Sequence, residues 1–527
     1  MTERFDSSQE TQRVPRRMAA LAGLVAAAGA LAVGELGGGL LAGAVSPVAA
    51  VGSAVIDLAP PGSKELVVSL FGTNDKLALT VLIAGIVLAA GAGVGLLARR
   101  SIGGADAVIV AIAGIGLLAA MRDPTASLSL VAVVAALQAA AGIWVLSVLF
   151  AAARLPAPAA AVASVASSMT AAASRRGFLL RAGLLGTLAL AGGGLGRFLA
   201  DRRAAGVATA AATIPDAVDP AGTPPPDASF AVAGLTPLVV PNDRFYRIDT
   251  ALITPAVDVK GWTLRVHGMV DREVTLTFAQ LVELPLIERY VTIACVSNEV
   301  GGNLVGNAKW TGVRLMDVLD MAGIQAGATQ IVPRSVDGWT AGFPTSWLTD
   351  SAREALIAVK MNDEPLPAEH GFPARLIVPG LYGYVSATKW LSDIELTTLE
   401  AFDAYWVPRG WAKEAPILTQ SRIDVPRGDA TVTAGPVAVA GVAWAPDRGI
   451  SKVEVRVDDG AWQAATLALE LSPSTWVQWK WTWQATAGDH VLEVRATDGT
   501  GEVQTDQASR PDPDGARGHH RIAVRVA

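Results

Sequence analysis

Four long runs near the start of the chain, roughly residues 18–45, 77–98, 102–121 and 126–153, carry almost no charge. Crossing a bilayer takes about 20 apolar residues, because in hydrocarbon only a helix pairs its own backbone groups. Each run is long enough. Glu35 and a cluster of glycines leave the end of the first run loosely defined. Arg13, Arg16 and Arg17 precede the first run, Arg99 and Arg100 follow the second, and Arg154 follows the fourth. All three groups fall on one side if the chain weaves back and forth, and basic residues mark the cytoplasmic side. The N-terminus is therefore expected in the cytoplasm.

A fifth segment, Ser174 to Gly196, reads "SRRGFLLRAGLLGTLALAGGGLG". Two adjacent arginines before a short, glycine-rich apolar stretch form the twin-arginine export pattern. The alternative is an ordinary fifth helix with basic flanks. Twin-arginine export carries folded proteins, so it suits a domain that acquires a cofactor inside the cell and works outside. Residues 201–235, with "GTPPPD" at 222–227, read as a linker, and "ATAAAT" at 208–213 is a candidate processing site. The remainder is expected outside the cytoplasmic membrane, anchored by a multi-pass region over residues 1–200 of about five helices.

Composition narrows the function. A net charge of −6 gives no basic footprint for nucleic acid. The single cysteine, Cys295, excludes an intramolecular disulfide, a thiolate-held iron–sulfur cluster and a cysteine-rich zinc site. None of the five histidines (267, 370, 490, 519 and 520) lies in an apolar run, and there is no C-x-x-C-H motif. No haem or iron–sulfur cluster is expected in this chain, so any redox partner would be a separate electron-transfer protein or a quinone-linked subunit.

Beyond residue 236 the pattern is mixed. "GWTLRVHGMV" (261–270) and "RYVTIACV" (289–296) read as strands, "TFAQLVEL" (277–284) and "RLMDVLDMAG" (314–323) as short helices, and "PARLIVPG" (373–380) and "KWLSDIELTTL" (389–399) as strands. That mixture predicts an α+β domain over 236–405. From 406 to 527 short alternating strands predominate, with a hairpin signal at Asp459-Gly460, and predict an immunoglobulin-like β-sandwich. Trp479, Trp481 and Trp483 share one strand face, more in keeping with a packed core or interface than with carbohydrate binding. His519 and His520 are adjacent on a strand, so they point to opposite faces and make a poor metal pair.

The order of "FYRIDT" (245–250), "ACVSN" (294–298), "WTGVRLMDVLDMAG" (310–323), "PAEHGFPARLIVPGLYGYVSATKW" (367–390) and "GVAWAPDRGISKVEVRVDDGAW" (441–462) resembles the sulfite-oxidase type of molybdenum-cofactor oxidoreductase. The resemblance spans the whole globular half. It implies a molybdopterin-binding α+β domain, then an immunoglobulin-like domain through which two copies can pair. It makes Cys295 the metal ligand, a soft thiolate suited to a redox metal whose other sulfurs come from the pterin. It places Asn242, Tyr246, Arg247, Ser335, His370, Arg375, Ala387, Thr388 and Lys389 against the pterin, with Arg375 and Lys389 suited to its phosphate.

The implied reaction is two-electron oxygen-atom transfer on a small substrate such as sulfite. Departures from the family pattern bear on that substrate. Glu299 follows the C-x-x-N motif where sulfite oxidases usually carry an arginine, and "GWTAGFPTSW" (338–347) lacks their usual tyrosine. A carboxylate there disfavours a dianion, which gives Glu299 a catalytic role in selecting substrate. Reduction of S-oxides by the same machinery is an alternative, as is a non-catalytic membrane-anchored binding or sensor protein.

The targeting expectation has a direct test. Replacing Arg175 and Arg176 together by lysine keeps the charge and removes the paired guanidinium groups. The first four runs should insert normally, while residues beyond 241 stay protected from protease added to the outer face. Unchanged protease exposure would favour the plain fifth helix.

Overall fold

The computed structural model describes residues 14–60, 75–154, 166–209, 214–349 and 353–527. They form two units: residues 1–203 with 251–254, and residues 204–250 with 255–527.

The first unit is helical: α1 (Arg16–Leu40), α2 (Pro47–Leu58), α3 (Asp75–Ala98), α4 (Ile102–Ala120), α5 (Leu128–Ala153) and α6 (Ala166–Thr209). Five of these, all but α2, are long and apolar enough to cross a membrane. The ambiguous end of the first run resolves physically. The α1 helix stops at Leu40, and Ser46 then caps α2, accepting from Ala49 N at 3.2 Å with Pro47 in the first turn. The short α2 was not among the expected helices. Glu35 is engaged by the Ser46 hydroxyl at 2.5 Å.

Small residues let apolar helices pack by close backbone approach. Gly23 of α1 faces Gly91 and Gly95 of α3 so closely that a methyl group on Gly23 or Gly95 would overlap the opposing backbone. Phe178 of the export-like pattern is fully buried in this unit's core beside Ala22 and Leu149. Of the candidate processing site, residues 210–213 lie outside the described residues.

In the second unit, residues 214–250 and 255–262 run without long secondary structure. The stretch expected as a linker is laid along the unit: Val218 N donates to Leu286 O at 2.9 Å, and Ile214 and Ala228 are buried. One sheet has the order β2-β1-β10-β5-β6, built from β1 (Thr263–Gly268), β2 (Val274–Thr277), β5 (Gln330–Ser335), β6 (Phe343–Pro344) and β10 (Leu391–Thr397). The other has the order β3-β4-β7-β8, built from β3 (Leu286–Ala294), β4 (Val305–Arg314), β7 (Leu356–Met361) and β8 (Glu364–Pro365), with β9 (Arg375–Ile377) paired to β7.

Short helices fill between the strands. In α7 (Phe278–Val282) Thr277 and Gln280 form a reciprocal capping box. In α8 (Leu315–Ala322) the buried residues Leu315, Val318, Leu319 and Ala322 follow the helical spacing. The expected strand over 373–380 is confined to β9. The chain then turns through α9 (Gly383–Ser386) and comes back, so that Leu376 N donates to Thr388 O at 2.9 Å.

The last 108 residues, 420–527, make two facing sheets. One has the order β11-β13-β17-β16, from β11 (Gln420–Val425), β13 (Gly435–Trp444), β16 (Thr466–Leu467) and β17 (Val477–Ala485). The second has the order β12-β19-β18-β14-β15, from β12 (Ala430–Val432), β14 (Ile450–Val457), β15 (Gln463–Ala464), β18 (Gly488–Asp498) and β19 (His520–Val526). The turn falls one residue before the expected Asp459-Gly460: Asp458 and Asp459 take positive φ (50° and 58°), Gly460 N donates to Val457 O at 2.8 Å, and pairing with β15 starts at Val455 opposite Gln463. Trp479 and Trp483 are buried in the core between the sheets, and Trp481 packs partly against it. His519 and His520 reach different partners, Glu493 Oε1 at 2.8 Å and Ile423 N at 3.0 Å.

Trp479 tests this core. Its side chain is fully buried and its indole N–H has no partner. Trp479→Ala should cost about 3–5 kcal/mol through the cavity it leaves. Trp479→Phe keeps most of the packing and removes the unpaired donor, so it should cost less than about 1.5 kcal/mol. Urea unfolding of the full chain measures both. Equal losses would contradict this core role.

Candidate active site

The Cys295 loop is built by the end of a strand. The nearly continuous burial of β3 carries the chain into the core, and Cys295, only 8% exposed, follows its last residue. Cys295 N donates to Leu304 O at 2.9 Å, and Asn298 N donates to Cys295 O at 3.1 Å. The Asn298 side chain closes the loop by accepting from Leu304 N at 2.8 Å. Glu299 sits on this loop with its side chain exposed.

The fold-back of residues 370–391 gathers the basic groups. Arg375 leaves β9, buried, with its guanidinium over the Trp310 ring at 5.3 Å and Nη1 donating to His370 O at 3.2 Å. Lys389, also buried, donates from Nζ to Asp249 Oδ2 at 2.9 Å and to Glu369 O at 2.8 Å. Arg247 is half exposed and meets the same Asp249 oxygen at 3.2 Å. Desolvation pulls Arg375 down to about 10 and Lys389 down to about 8, and Asp249 works against the fall in both.

His370 is 2% exposed. Its Nε2 lies 2.9 Å from Asn242 O, which can only accept, so Nε2 carries the proton and Nδ1 presents a lone pair. Burial, then the charge of Arg375, hold its pKa down at about 4. The Asn242 amide is turned elsewhere, donating to Met361 O at 3.1 Å and accepting from Asn362 Nδ2 at 2.8 Å. Asn242 therefore touches His370 through its backbone.

Tyr246 stacks on Phe245 and lies close enough to Cys295 and Arg375 to feel both charges. Burial first, then Cys295, push its hydroxyl pKa up, so the hydroxyl keeps its proton. Ala387 is buried at the end of α9, with its N donating to Gly383 O at 2.9 Å. Ser335 lies at the end of β5, where Val336 N donates to Trp390 O at 2.9 Å. The residues flagged in the sequence thus gather around 370–391 and Cys295, with Glu299 and Arg247 at the exposed margin.

Whether these residues fit a molybdopterin can be judged from unpaired groups. Seven buried side-chain nitrogen or oxygen atoms among the described residues have no hydrogen-bond partner. Four belong to the flagged set: Ser335 Oγ, His370 Nδ1, Arg375 Nε and Thr388 Oγ1. Buried polar groups are rarely left unpaired, and these are concentrated in one place. They offer an acceptor and several donors beside two buried cations, Arg375 and Lys389, of which Lys389 is paired with Asp249. A polar, anionic group matches that set, and a pterin with a phosphate has those features. No cluster of three or more His, Cys, Asp or Glu able to hold a metal occurs among the described residues. Cys295 as one ligand, with the pterin supplying others, is compatible with that.

Sequence reasoning missed several neighbours. Asp249, counter-ion to Lys389, lay inside the "FYRIDT" motif and was legible as an acid among basic partners. Tyr382, pushed up to about 12 by burial and also by the nearby Cys295, carried no comparable signal.

Comparison with known proteins bears on the domains that carry this site. Residues 251–406 match the oxidoreductase molybdopterin-binding domain, and residues 420–494 match a bacterial Ig domain. The chain is 29% identical over 316 residues to human mitochondrial sulfite oxidase, covering 51% of this chain and 57% of that protein. It is 36% identical over 155 residues to YuiH, an uncharacterized oxidoreductase of Bacillus subtilis, covering 29% of this chain and 74% of that one. The sulfane dehydrogenase SoxCD of Paracoccus pantotrophus superposes with a TM-score of 0.49 at 22% identity, covering 57% of this chain and 86% of that one. The chain belongs to the sulfite-oxidase-type molybdopterin oxidoreductases. It spans a little over half the length (57% and 55%) of the sulfite oxidases of human and fruit fly.

The buried histidine gives a pH test on the chain purified without cofactor. His370 is neutral when folded down to about pH 4, whereas the unfolded chain takes up the proton near 6.5. Above 6.5 the group costs nothing. Between 6.5 and 4 the unfolded state gains protons that the folded state does not, and stability falls. A shift of about 2.5 units corresponds to a loss of about 3 kcal/mol by pH 4. Urea unfolding across that range should show a shallower acid decline in His370→Gln. An identical slope would contradict the burial argument.

Proposed function

We propose that this chain is a membrane-anchored molybdenum-cofactor oxidoreductase. Its globular unit works outside the cytoplasm and carries out two-electron oxygen-atom transfer on a small substrate such as sulfite. The observation that carries this reading is the group of partnerless buried polar atoms and buried cations gathered with Cys295. When bound, the cofactor supplies the redox-active metal at which oxygen is transferred.

The chain's residues take distinct roles in this reading. Cys295 gives the metal its thiolate from a closed loop. Arg375 and Lys389 hold the phosphate, one as a planar fork and the other as a point charge. His370 Nδ1 accepts from the pterin edge, kept in the right tautomer by the Asn242 carbonyl. Thr388, Ser335 and the backbone around Ala387 meet its other polar groups. Tyr246 holds a proton on its hydroxyl and can donate to a substrate oxygen, and Arg247 lies at the exposed margin.

Anchoring is supported by the five long apolar helices, and the outward side by the basic-residue pattern and the twin arginines. Electrons pass to a separate protein or a quinone-linked subunit, and pairing of two copies through the β-sandwich completes the expected assembly.

Glu299 favours a second reading, reduction of a neutral S-oxide. Two unit charges about 6 Å apart at an effective dielectric near 20 repel by roughly 3 kcal/mol, on the order of a hundredfold in affinity. Exposure of the Glu299 side chain and salt both reduce that figure. The purified full chain should hold about one molybdenum per chain, as a single thiolate ligand implies. Steady-state turnover of sulfite and of a neutral sulfoxide, for wild type and Glu299→Arg at low and high salt, distinguishes the substrates. A lower KM for sulfite in Glu299→Arg, lost at high salt, supports the charge argument. Absence of molybdenum would contradict the enzyme reading.

A further inference from the structure

The loop that carries Cys295 is gripped from outside its own domain. Arg422, on β11 of the β-sandwich, is 8% exposed and donates from Nη1 to Gly302 O at 2.7 Å. Its other donors are fixed as well: Nη2 to Thr236 Oγ1 at 2.9 Å and Nε to Asp424 Oδ1 at 2.6 Å. A guanidinium is a rigid planar fork, so three partners in three directions leave it no freedom to swing.

The neighbouring position is braced too. Gly301 has φ of +77° and lies flat against the His520 imidazole, so that a methyl group there would overlap the ring. His520 is itself held, since its Nδ1 accepts from Ile423 N at 3.0 Å, the residue after Arg422. Within the loop Gly302 N donates to Glu299 O at 2.8 Å, and Asn298 and Leu304 tie it back to Cys295. The sandwich therefore holds the far side of the loop whose near side is the thiol.

We propose that Arg422 is a positioning residue for Cys295: by clamping Gly302, with His520 bracing Gly301, the β-sandwich fixes where the thiolate meets the metal. The proposal rests on Cys295 being the metal ligand. Arg422 touches neither the thiol nor the flagged cofactor residues through any of its three bonds. Its loss acts through the loop, and a displacement of about 1 Å at a reacting centre is enough for a hundredfold effect.

Cys295 is the only cysteine in the chain, so alkylation reports on it alone. The test uses the full chain loaded with molybdenum, in wild type, Arg422→Met, Arg422→Lys and Gly301→Ala. Iodoacetamide labelling of the Cys295 peptide is followed by mass spectrometry alongside kcat, KM and molybdenum content. In wild type the thiol should be protected. In Arg422→Met labelling should speed up about tenfold or more while kcat falls and KM holds, the pattern expected of a displaced ligand rather than lost substrate contacts.

Arg422→Lys, which can keep one of the bonds, should fall between the two. Gly301→Ala, which pushes on the loop from the other side, should share the signature. If Arg422→Met does not fold, these two variants decide. Labelling and kcat equal to wild type in folded variants overturn the proposal. Wild-type labelling as fast as that of an unligated thiol, despite full molybdenum, overturns the ligand assignment on which it rests.

Discussion

The arrangement depends on two cations kept out of water. Arg375 and Lys389 are both buried, close enough for the charge of Arg375 to depress Lys389, and Asp249 pairs with Lys389 while acting on Arg375 only through its charge. Removing an ion from water costs several kcal/mol unless geometry and hydrogen bonds compensate. Desolvation is the main cause of the fall in both pKa values, and Asp249 opposes it. An anion entering the site would oppose it further, which turns the cost of burial into selectivity for a negatively charged cofactor.

The strands serve that end. The β9 strand and α9 are short, and their value lies in the reversal that brings Thr388 beside Leu376, and with it Lys389 toward Arg375. The β3 strand delivers Cys295 from the opposite direction, and the contacts from β11 and β19 steady its loop. In the helical unit a different constraint governs: Gly23, Gly91 and Gly95 let backbones touch where larger side chains would hold them apart.

Much of this was legible in the chain. The apolar runs located the long helices to within a few residues, because length and absence of charge set that signal without tertiary help. The amphipathic α8 and the Asp-Gly hairpin were equally local. Less was legible where packing decides. The strand over 373–380 shrank to β9 because Pro379, Gly380 and Gly383 after Ile377 turn the chain into the fold-back. The proline-rich stretch expected as a linker lies along the globular unit because Ile214 and Ala228 find apolar cover there. In the site, Cys295, His370, Arg375 and Lys389 stood out through their motifs. Asp249, Tyr382 and Arg422 did not, since their roles arise from contacts across large sequence separations.

The central claim is that Cys295 ties the protein to the metal, and X-ray absorption at the molybdenum edge tests it most directly. The wild-type full chain should show one sulfur ligand more than the pterin dithiolene supplies. Cys295→Ser, which exchanges a soft thiolate for a hard hydroxyl of similar size, should lose that sulfur while the cofactor stays bound through Arg375 and Lys389. The same sulfur count in both proteins would contradict the account.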